Sequence, residues 1–143
     1  MKISAKGRYA IALMLDLATY NTGNPIPLKD IAKRQDIPEK YLEQIVSTMN
    51  KAGYVKSVRG AQGGYRLRLS PDNYTLGMIL GETEKELVPS EHDSEDIINN
   101  SISDDVMIRI HDELNDALNN VLTKISLEDL LEWQNIGGGD YSI

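Results

Sequence analysis

The sequence predicts a mainly α fold with a small β-hairpin: a winged helix-turn-helix plus a long dimerisation helix. Three observations carry that expectation. Two short amphipathic segments at 28–35 and 38–52 are separated by a tight break, and a glycine-rich stretch between two β-prone runs follows at once. A broad apolar stripe then recurs at helical spacing between 104 and 125. Two helices joined by a turn, followed by a hairpin, make a winged helix.

The first helix is expected to open at Ser4, a good N-cap residue, and to run to about Thr19. Its stretch Tyr9–Ala18 is apolar nearly all round, so more than one face should be buried. The cluster Asn21–Pro25 ends it. A second helix over Leu28–Gln35 places Leu28, Ile31 and Ala32 on one side, and Asp36-Ile37-Pro38 makes the break. The third, about Pro38 to Ala52, turns Tyr41, Leu42, Ile45, Val46 and Met49 inward, with Gly53 as its stop. Its outward face shows Lys40, Glu43, Gln44, Ser47 and Asn50.

Strands are expected at Tyr54–Val58 and Tyr65–Leu69. Arg59–Gly64 forms the tip between them, where its glycines supply positive φ. A short helix begins near Thr75. Residues 82–105 are acidic and weakly patterned around Pro89. The long helix, about Asp104–Ile125, carries Val106, Met107, Ile110, Leu114, Ala117, Leu118, Val121, Leu122 and Ile125 in a stripe about 160° wide. A stripe that broad exceeds what a small wing domain covers from one side, which implies a second subunit; burial within one chain is the alternative. Ser126 is placed to cap a last short helix ending near Gln134, after which Gly137–Gly139 releases the chain. The expected organisation is therefore a DNA-binding unit over 1–80, an acidic linker over 81–103, dimerisation and terminal helices over 104–135, and a flexible tail over 136–143.

Composition narrows the chemistry. The chain has 143 residues and no cysteine, which excludes disulfides, thiol catalysis, zinc fingers, thiolate-held iron–sulfur clusters and c-type haem. No apolar run reaches the roughly 18 residues of a membrane span, and the first residues have no apolar export segment, so a cytoplasmic location is expected. Net charge is −7, yet it is divided unevenly. Residues 1–75 hold 12 basic against 6 acidic side chains, a net of +6, and residues 76–143 hold 3 against 16, a net of −13. A basic half suits a polyanion. The acidic half, with Glu82, Glu84 and Glu86, is expected to repel DNA and to hold the basic faces toward it; chance segregation of solvated charge is the alternative.

Enzyme readings find little support. His92 falls in the acidic linker and His111 borders the apolar stripe, and neither stands in a triad or metal-ligand spacing. The glycine-rich tip lacks the Gly-Lys-Ser/Thr ending of a phosphate loop and precedes a strand. DNA chemistry fits better. Lys40, Glu43, Gln44 and Ser47 share one helix face, where Gln44 can pair bidentately with adenine and Glu43 can accept from cytosine N4. Arg59, beside Gly60 at a hairpin tip, suits a narrow minor groove. Lys2, Lys6, Arg8, Lys56 and Arg66 suit phosphates.

Three ordered motifs then point to a family. Ser4–Ala10 (Ser-Ala-Lys-Gly-Arg-Tyr-Ala), Tyr41-Leu42-Glu43-Gln44 and Val58–Tyr65 (Val-Arg-Gly-Ala-Gln-Gly-Gly-Tyr) resemble the signature of the Rrf-two family of winged-helix repressors. The strong match covers about 1–80, and a weaker one continues through Ile108–Asp112 to Leu127–Leu130. The resemblance implies a homodimer crossed through the long helix and bound to an imperfect palindrome in double-stranded DNA. It assigns base contacts to Lys40, Glu43 and Gln44 and the minor-groove contact to Arg59.

Cluster-binding members carry three cysteines in the linker, whereas Leu87–Ser103 has none. The resemblance therefore leads to the cysteine-free branch, without metal or other cofactor. Its best-known type represses cysteine metabolism in a complex with cysteine synthase. The tail Asp140-Tyr141-Ser142-Ile143 reads as a partner-binding anchor ending in a carboxylate and an apolar side chain. Serine acetyltransferases, the usual partners of that enzyme, end similarly in an acidic residue, an intervening pair and Ile. The alternatives are a frayed tail, a family member sensing a small molecule between wing domain and long helix, and a protein-interaction adaptor that has lost DNA binding.

Overall fold

The order of elements follows from where the chain can bury apolar stripes and where proline or glycine stops it. A computed structural model describes residues 2–85 and 104–140, with the side chains of 138–140 excepted. Helix α1 spans Ala5–Thr19, α2 Leu28–Gln35 and α3 Glu39–Lys51. Strands β1 (Val55–Val58) and β2 (Gly64–Leu67) pair antiparallel, and a 3-10 turn at Pro71–Asn73 leads to α4 (Leu76–Gly81). After the acidic segment come α5 (Asp104–Lys124) and α6 (Leu127–Asp140). This is the mainly helical, single-hairpin architecture that the sequence predicts.

Ser4 caps α1, its hydroxyl accepting from the Gly7 amide at 3.0 Å. Asp36 ends α2 in the left-handed region at φ 52, a conformation that Asp tolerates better than most residues. Gly53 follows α3 at φ 82, where a side chain is disfavoured, and the chain turns into β1. The core is built from Ala10, Leu13, Met14 and Leu17 of α1, Ile31 of α2, Leu42, Ile45, Val46 and Met49 of α3, Val55, Tyr74, Ile79 and Leu127. All-round burial of α1 follows from its position, since it packs on α2, α3, α4, β2 and α6.

The C-terminal helices join this head where α5 meets α4 and where α6 packs on α1 and the 3-10 turn. The Leu76 amide donates to the Ile125 carbonyl at 2.8 Å, and the Leu127 amide to the Tyr74 carbonyl at 2.9 Å. Gly77 lets α4 approach α5, because a Cβ there would stand 3.1 Å from Leu122. Ser126 and Asp129 cap α6 reciprocally: the Ser126 amide donates to the Asp129 carboxylate at 2.9 Å, and the Asp129 amide to the Ser126 hydroxyl at 3.1 Å.

One expectation fails here. The last helix does not stop near Gln134; it runs through Gly137–Gly139 to Asp140. Each glycine costs roughly 1 kcal/mol relative to alanine, but propagating an existing helix adds a hydrogen bond per residue, so a nucleated helix can outrun that penalty. Positions 136–140 are therefore helix rather than flexible tail. Tyr141, Ser142 and Ile143 lie outside the described residues, as do His92, Pro89 and all of the linker from 86 to 103.

Candidate nucleic-acid interface

Helix α3 is divided as its spacing predicts. Leu42, Ile45, Val46 and Met49 are buried, while Lys40, Glu43, Gln44, Ser47 and Asn50 are exposed. The edge-on contact of Tyr9 with Tyr41, ring centroids 5.3 Å apart, holds the first turn of α3 to α1. The i, i+3, i+4, i+7 spacing keeps 40, 43, 44 and 47 on one solvent-facing strip. Such a helix face fits the roughly 12 Å width of a major groove.

The wing tip is a tight turn in which the Gly63 amide donates to the Gly60 carbonyl at 3.0 Å, with Gly60 at φ 116. Arg59 is exposed there. The tip end of β2 is tied to the segment before α2: Ile26 and Tyr65 exchange backbone hydrogen bonds of 2.8 and 2.9 Å. A side chain at Gly64 would run into the Ile26 carbonyl, which explains glycine at that position by contact alone. The other end of the hairpin is fixed by Tyr74. Its hydroxyl donates to the Tyr54 carbonyl at 2.6 Å and accepts from the Arg68 and Leu69 amides at 3.1 and 2.9 Å. Burial pushes the Tyr74 phenol above its ordinary pKa against the opposing pull of those two amides, and burial likewise raises Tyr54.

A second fixed point joins α1 to α2. Asp16, 1% exposed, accepts from Arg34 Nε at 3.0 Å, from Arg34 Nη2 at 2.8 Å and from Gln35 Nε2 at 2.9 Å. The Arg34 guanidinium also lies 4.1 Å from the Tyr20 ring centroid. The hydrogen bond to Asp16 raises the Arg34 pKa further. Sequence reading missed this cluster, although the lone carboxylate in the apolar run of α1 was a usable signal.

Of the residues expected to meet phosphates, Lys2, Arg8, Lys56 and Arg66 are exposed and Lys6 is partly so. Glu84 does not stand free to steer DNA. Its carboxylate accepts from the Ser4 amide at 3.0 Å and the Ser4 hydroxyl at 2.8 Å, so it completes the N-terminal cap of α1. The partly positive helix end and two donors hold it there. Glu82 is exposed, and Glu86 lies outside the described residues.

Among the described residues, much of the apolar side of α5 is exposed. Val106, Ile110, Leu114 and Val121 are exposed, and only Leu122 on this helix is fully buried, where α5 meets the head. An open groove of about 370 Å³ lies on this surface between Val106, Arg109, Ile110, Glu113 and Leu114. Among the described residues, His111 Nδ1 and Asn115 Oδ1 are buried without a hydrogen-bond partner.

A sequence profile described as "Rrf2: Iron-dependent Transcriptional regulator" matches residues 3–133. The chain is 42% identical over 135 residues to the "HTH-type transcriptional regulator CymR" of Bacillus subtilis (strain 168), covering 93% of this chain and 91% of that one. It is 49% identical over 85 residues to the "HTH-type transcriptional regulator IscR" of Aliivibrio salmonicida (strain LFI1238), covering 59% of this chain and 51% of that protein. The chain thus spans about half the length of the latter relative. The solved structure of CymR (YrzC), "the Global Cysteine Regulator of B. subtilis", superposes with a TM-score of 0.74 at 39% identity, over 93% of this chain and 98% of that one. Iron in the profile's description does not fit the residues present. The chain has no cysteine, and no group of three His, Asp or Glu among the described residues is placed to hold a metal ion. Also among the described residues, no helix is long and apolar enough to cross a membrane.

Proposed function

The chain belongs to the Rrf2 family of transcriptional regulators, and on that premise we propose that it is a homodimeric repressor reading an imperfect palindrome in double-stranded DNA. One observation carries the reading: four polar side chains of α3, Lys40, Glu43, Gln44 and Ser47, are exposed together on a helix whose other side is locked into the core. In this proposal Glu43 and Gln44 read base edges, Lys40 and Ser47 flank them, and Arg59 with Gly60 enters the adjacent minor groove. Lys2, Lys6, Arg8 and Lys56 neutralise phosphates without specifying sequence.

The exposed stripe of α5 supports the dimer, because Val106, Ile110, Leu114 and Val121 in water cost what a second copy of the helix would recover. Two copies crossed there present two recognition helices, and an operator of two half-sites follows from the symmetry. The cytoplasmic location belongs to the same proposal, since such a regulator works where the DNA lies.

The test selects a palindrome from random duplexes with the full chain, then measures Arg59→Ala and Gln44→Ala on it. Arg59→Ala should weaken binding mainly at A·T-rich flanks, and Gln44→Ala should relax base preference by about 1–3 kcal/mol at one position. Unchanged affinity and preference in both variants would overturn the site.

A cysteine-metabolism role rests on the likeness to CymR, whose solved structure is described as that of a global cysteine regulator. The proposed means is capture of the C-terminal carboxylate by cysteine synthase, with Asp140, Tyr141, Ser142 and Ile143 as the anchor. Because Gly137–Gly139 are helical, any reach of that anchor begins after Asp140 rather than at a glycine hinge. Calorimetric titration into cysteine synthase, with a des-Ile143 form alongside, decides it. Binding lost with Ile143 supports the partner, and no binding by either form removes it while leaving the repressor reading intact.

A further inference from the structure

The outer face of the wing concentrates positive charge that the recognition helix and the wing tip do not use. Lys56 and Arg66 are direct partners in the antiparallel register, and both are exposed. Opposed residues have Cβ atoms about 4.5–5.5 Å apart, and like charges in that position destabilise a hairpin. Among the described residues neither side chain has an ion pair; the pair present is Arg34 with Asp16.

Arg68 adds a third charge in a fixed pose. Its Nε donates to the Val55 carbonyl at 3.0 Å, which orients the guanidinium and, among the described residues, leaves its terminal N–H groups unspent. Asn21 and Gly23, in the loop between α1 and α2, form the facing wall. Together with Leu67 these residues line an open concavity of about 430 Å³. Leu67 lies three register pairs from the Val58–Gly64 pair at the tip, about 10 Å along the strand. Its occupant is therefore a different group from the one that Arg59 meets.

We propose that this concavity, walled by Lys56, Arg66, Arg68 and the Asn21–Gly23 loop, is a binding site for a phosphate-class oxyanion. Three donors of positive charge converge with no carboxylate in ion-pair contact among the described residues, and one is already held by the backbone. A tetrahedral oxyanion would relieve the repulsion between Lys56 and Arg66 and accept from the free guanidinium donors of Arg68. Two sources supply that chemistry: a backbone phosphate of duplex flanking the half-site, which rests on the function proposed above, and free phosphate, which does not.

The experiment uses the full chain and Lys56→Gln/Arg66→Gln, a pair of changes that removes like-charge repulsion and should leave the melting temperature equal or higher. Backbone amide resonances of Gly23 and Arg68 are followed during titration with sodium phosphate, against sodium chloride at matched ionic strength. Separately, binding is measured to the selected palindrome with and without ten-base-pair flanks. If the source is duplex, the variant loses about tenfold more on the flanked DNA than on the unflanked, and its salt slope on the flanked DNA falls by about 2. If the source is free phosphate, the resonances saturate in wild type and not in the variant, and the flanks make no difference. No saturable response to phosphate, together with losses independent of flank length, overturns the site. Failure of wild type to bind any duplex would instead count against the DNA reading, and the phosphate titration would still decide the concavity.

Discussion

Tyr74→Phe isolates one oxygen atom that holds both feet of the wing. The ring of Tyr74 is fully buried, and phenylalanine keeps its shape, so no cavity forms. What disappears is the hydroxyl between the Tyr54 carbonyl and the Arg68 and Leu69 amides. These losses are unequal. The Arg68 amide retains the Tyr54 carbonyl at 3.3 Å, which also keeps that carbonyl partnered. The Leu69 amide loses its acceptor, but Leu69 is 45% exposed and water can replace part of the bond. One short O–H···O bond at about 1–1.5 kcal/mol and a partly rescued amide sum to about 2 kcal/mol.

For a chain of this length that is a fall of about 8 °C in melting temperature, with an unchanged urea m value. The same hydroxyl predicts a pH signature. Burial raises the Tyr74 pKa in the folded state, so its contribution is fully present below the unfolded value near 10 and is lost as pH rises through the folded value. Wild type should lose stability above about pH 10 more steeply than Tyr74→Phe, whose residual slope comes from Tyr54, also raised by burial. Urea titrations of both proteins at pH 7 and across pH 9–11 make the measurement. A variant within 0.5 kcal/mol of wild type, or one with an equally steep alkaline loss, would refute the role given to this oxygen.

The Asp16–Arg34 pair should respond asymmetrically. Arg34→Met leaves a buried carboxylate with only Gln35 to satisfy it and should cost about 3–4 kcal/mol. Asp16→Asn leaves an Arg34 side chain that is 32% exposed and whose guanidinium rests on Tyr20, and should cost about 2 kcal/mol in the same urea assay; the reverse order would contradict the burial argument. Gly64→Ala should break the Ile26–Tyr65 hydrogen-bond pair, destabilise by at least about 2 kcal/mol and free the Tyr65 amide for hydrogen exchange, whereas Gly53→Ala has open space and pays only for its positive φ. Leu114→Asp, in the exposed stripe of α5, should halve the mass seen by sedimentation while the monomer's melting transition is retained. A mass unchanged by that substitution would move the subunit interface elsewhere.

The elements legible in advance were those whose cause is local. The period of 3.6 in α2 and α3 sorted buried from exposed residues correctly because neighbours along one helix share one environment. Ser4, Thr75 and Ser126 announced helix starts because their hydroxyls serve amides three residues away. The strip of 40, 43, 44 and 47 was readable for the same reason. Asp16 stood out as a lone carboxylate in an apolar helix, but its partners did not, since they lie 18 and 19 positions later and nothing local marks the guanidinium that meets it. Glu84 looked like one charge among many in an acidic run, yet it closes a cap formed 80 residues earlier.

By itself the sequence determined the order of helices, the hairpin, the polar strip of α3, the exclusion of cysteine chemistry and the opposed charges of the two halves. These follow from composition, or from contacts within about one helical turn or one strand pair. Tertiary structure alone decided which charges are free. It tied Glu84 to α1 and Asp16 to Arg34, left Lys56 and Arg66 facing each other, and set Tyr74 as the joint between wing and head. It also carried α6 through three glycines and, among the described residues, left much of the stripe of α5 exposed. The physical reason is the same in each case: the free energy of a polar or apolar group depends on what replaces its water, and the replacement comes from residues distant in the chain.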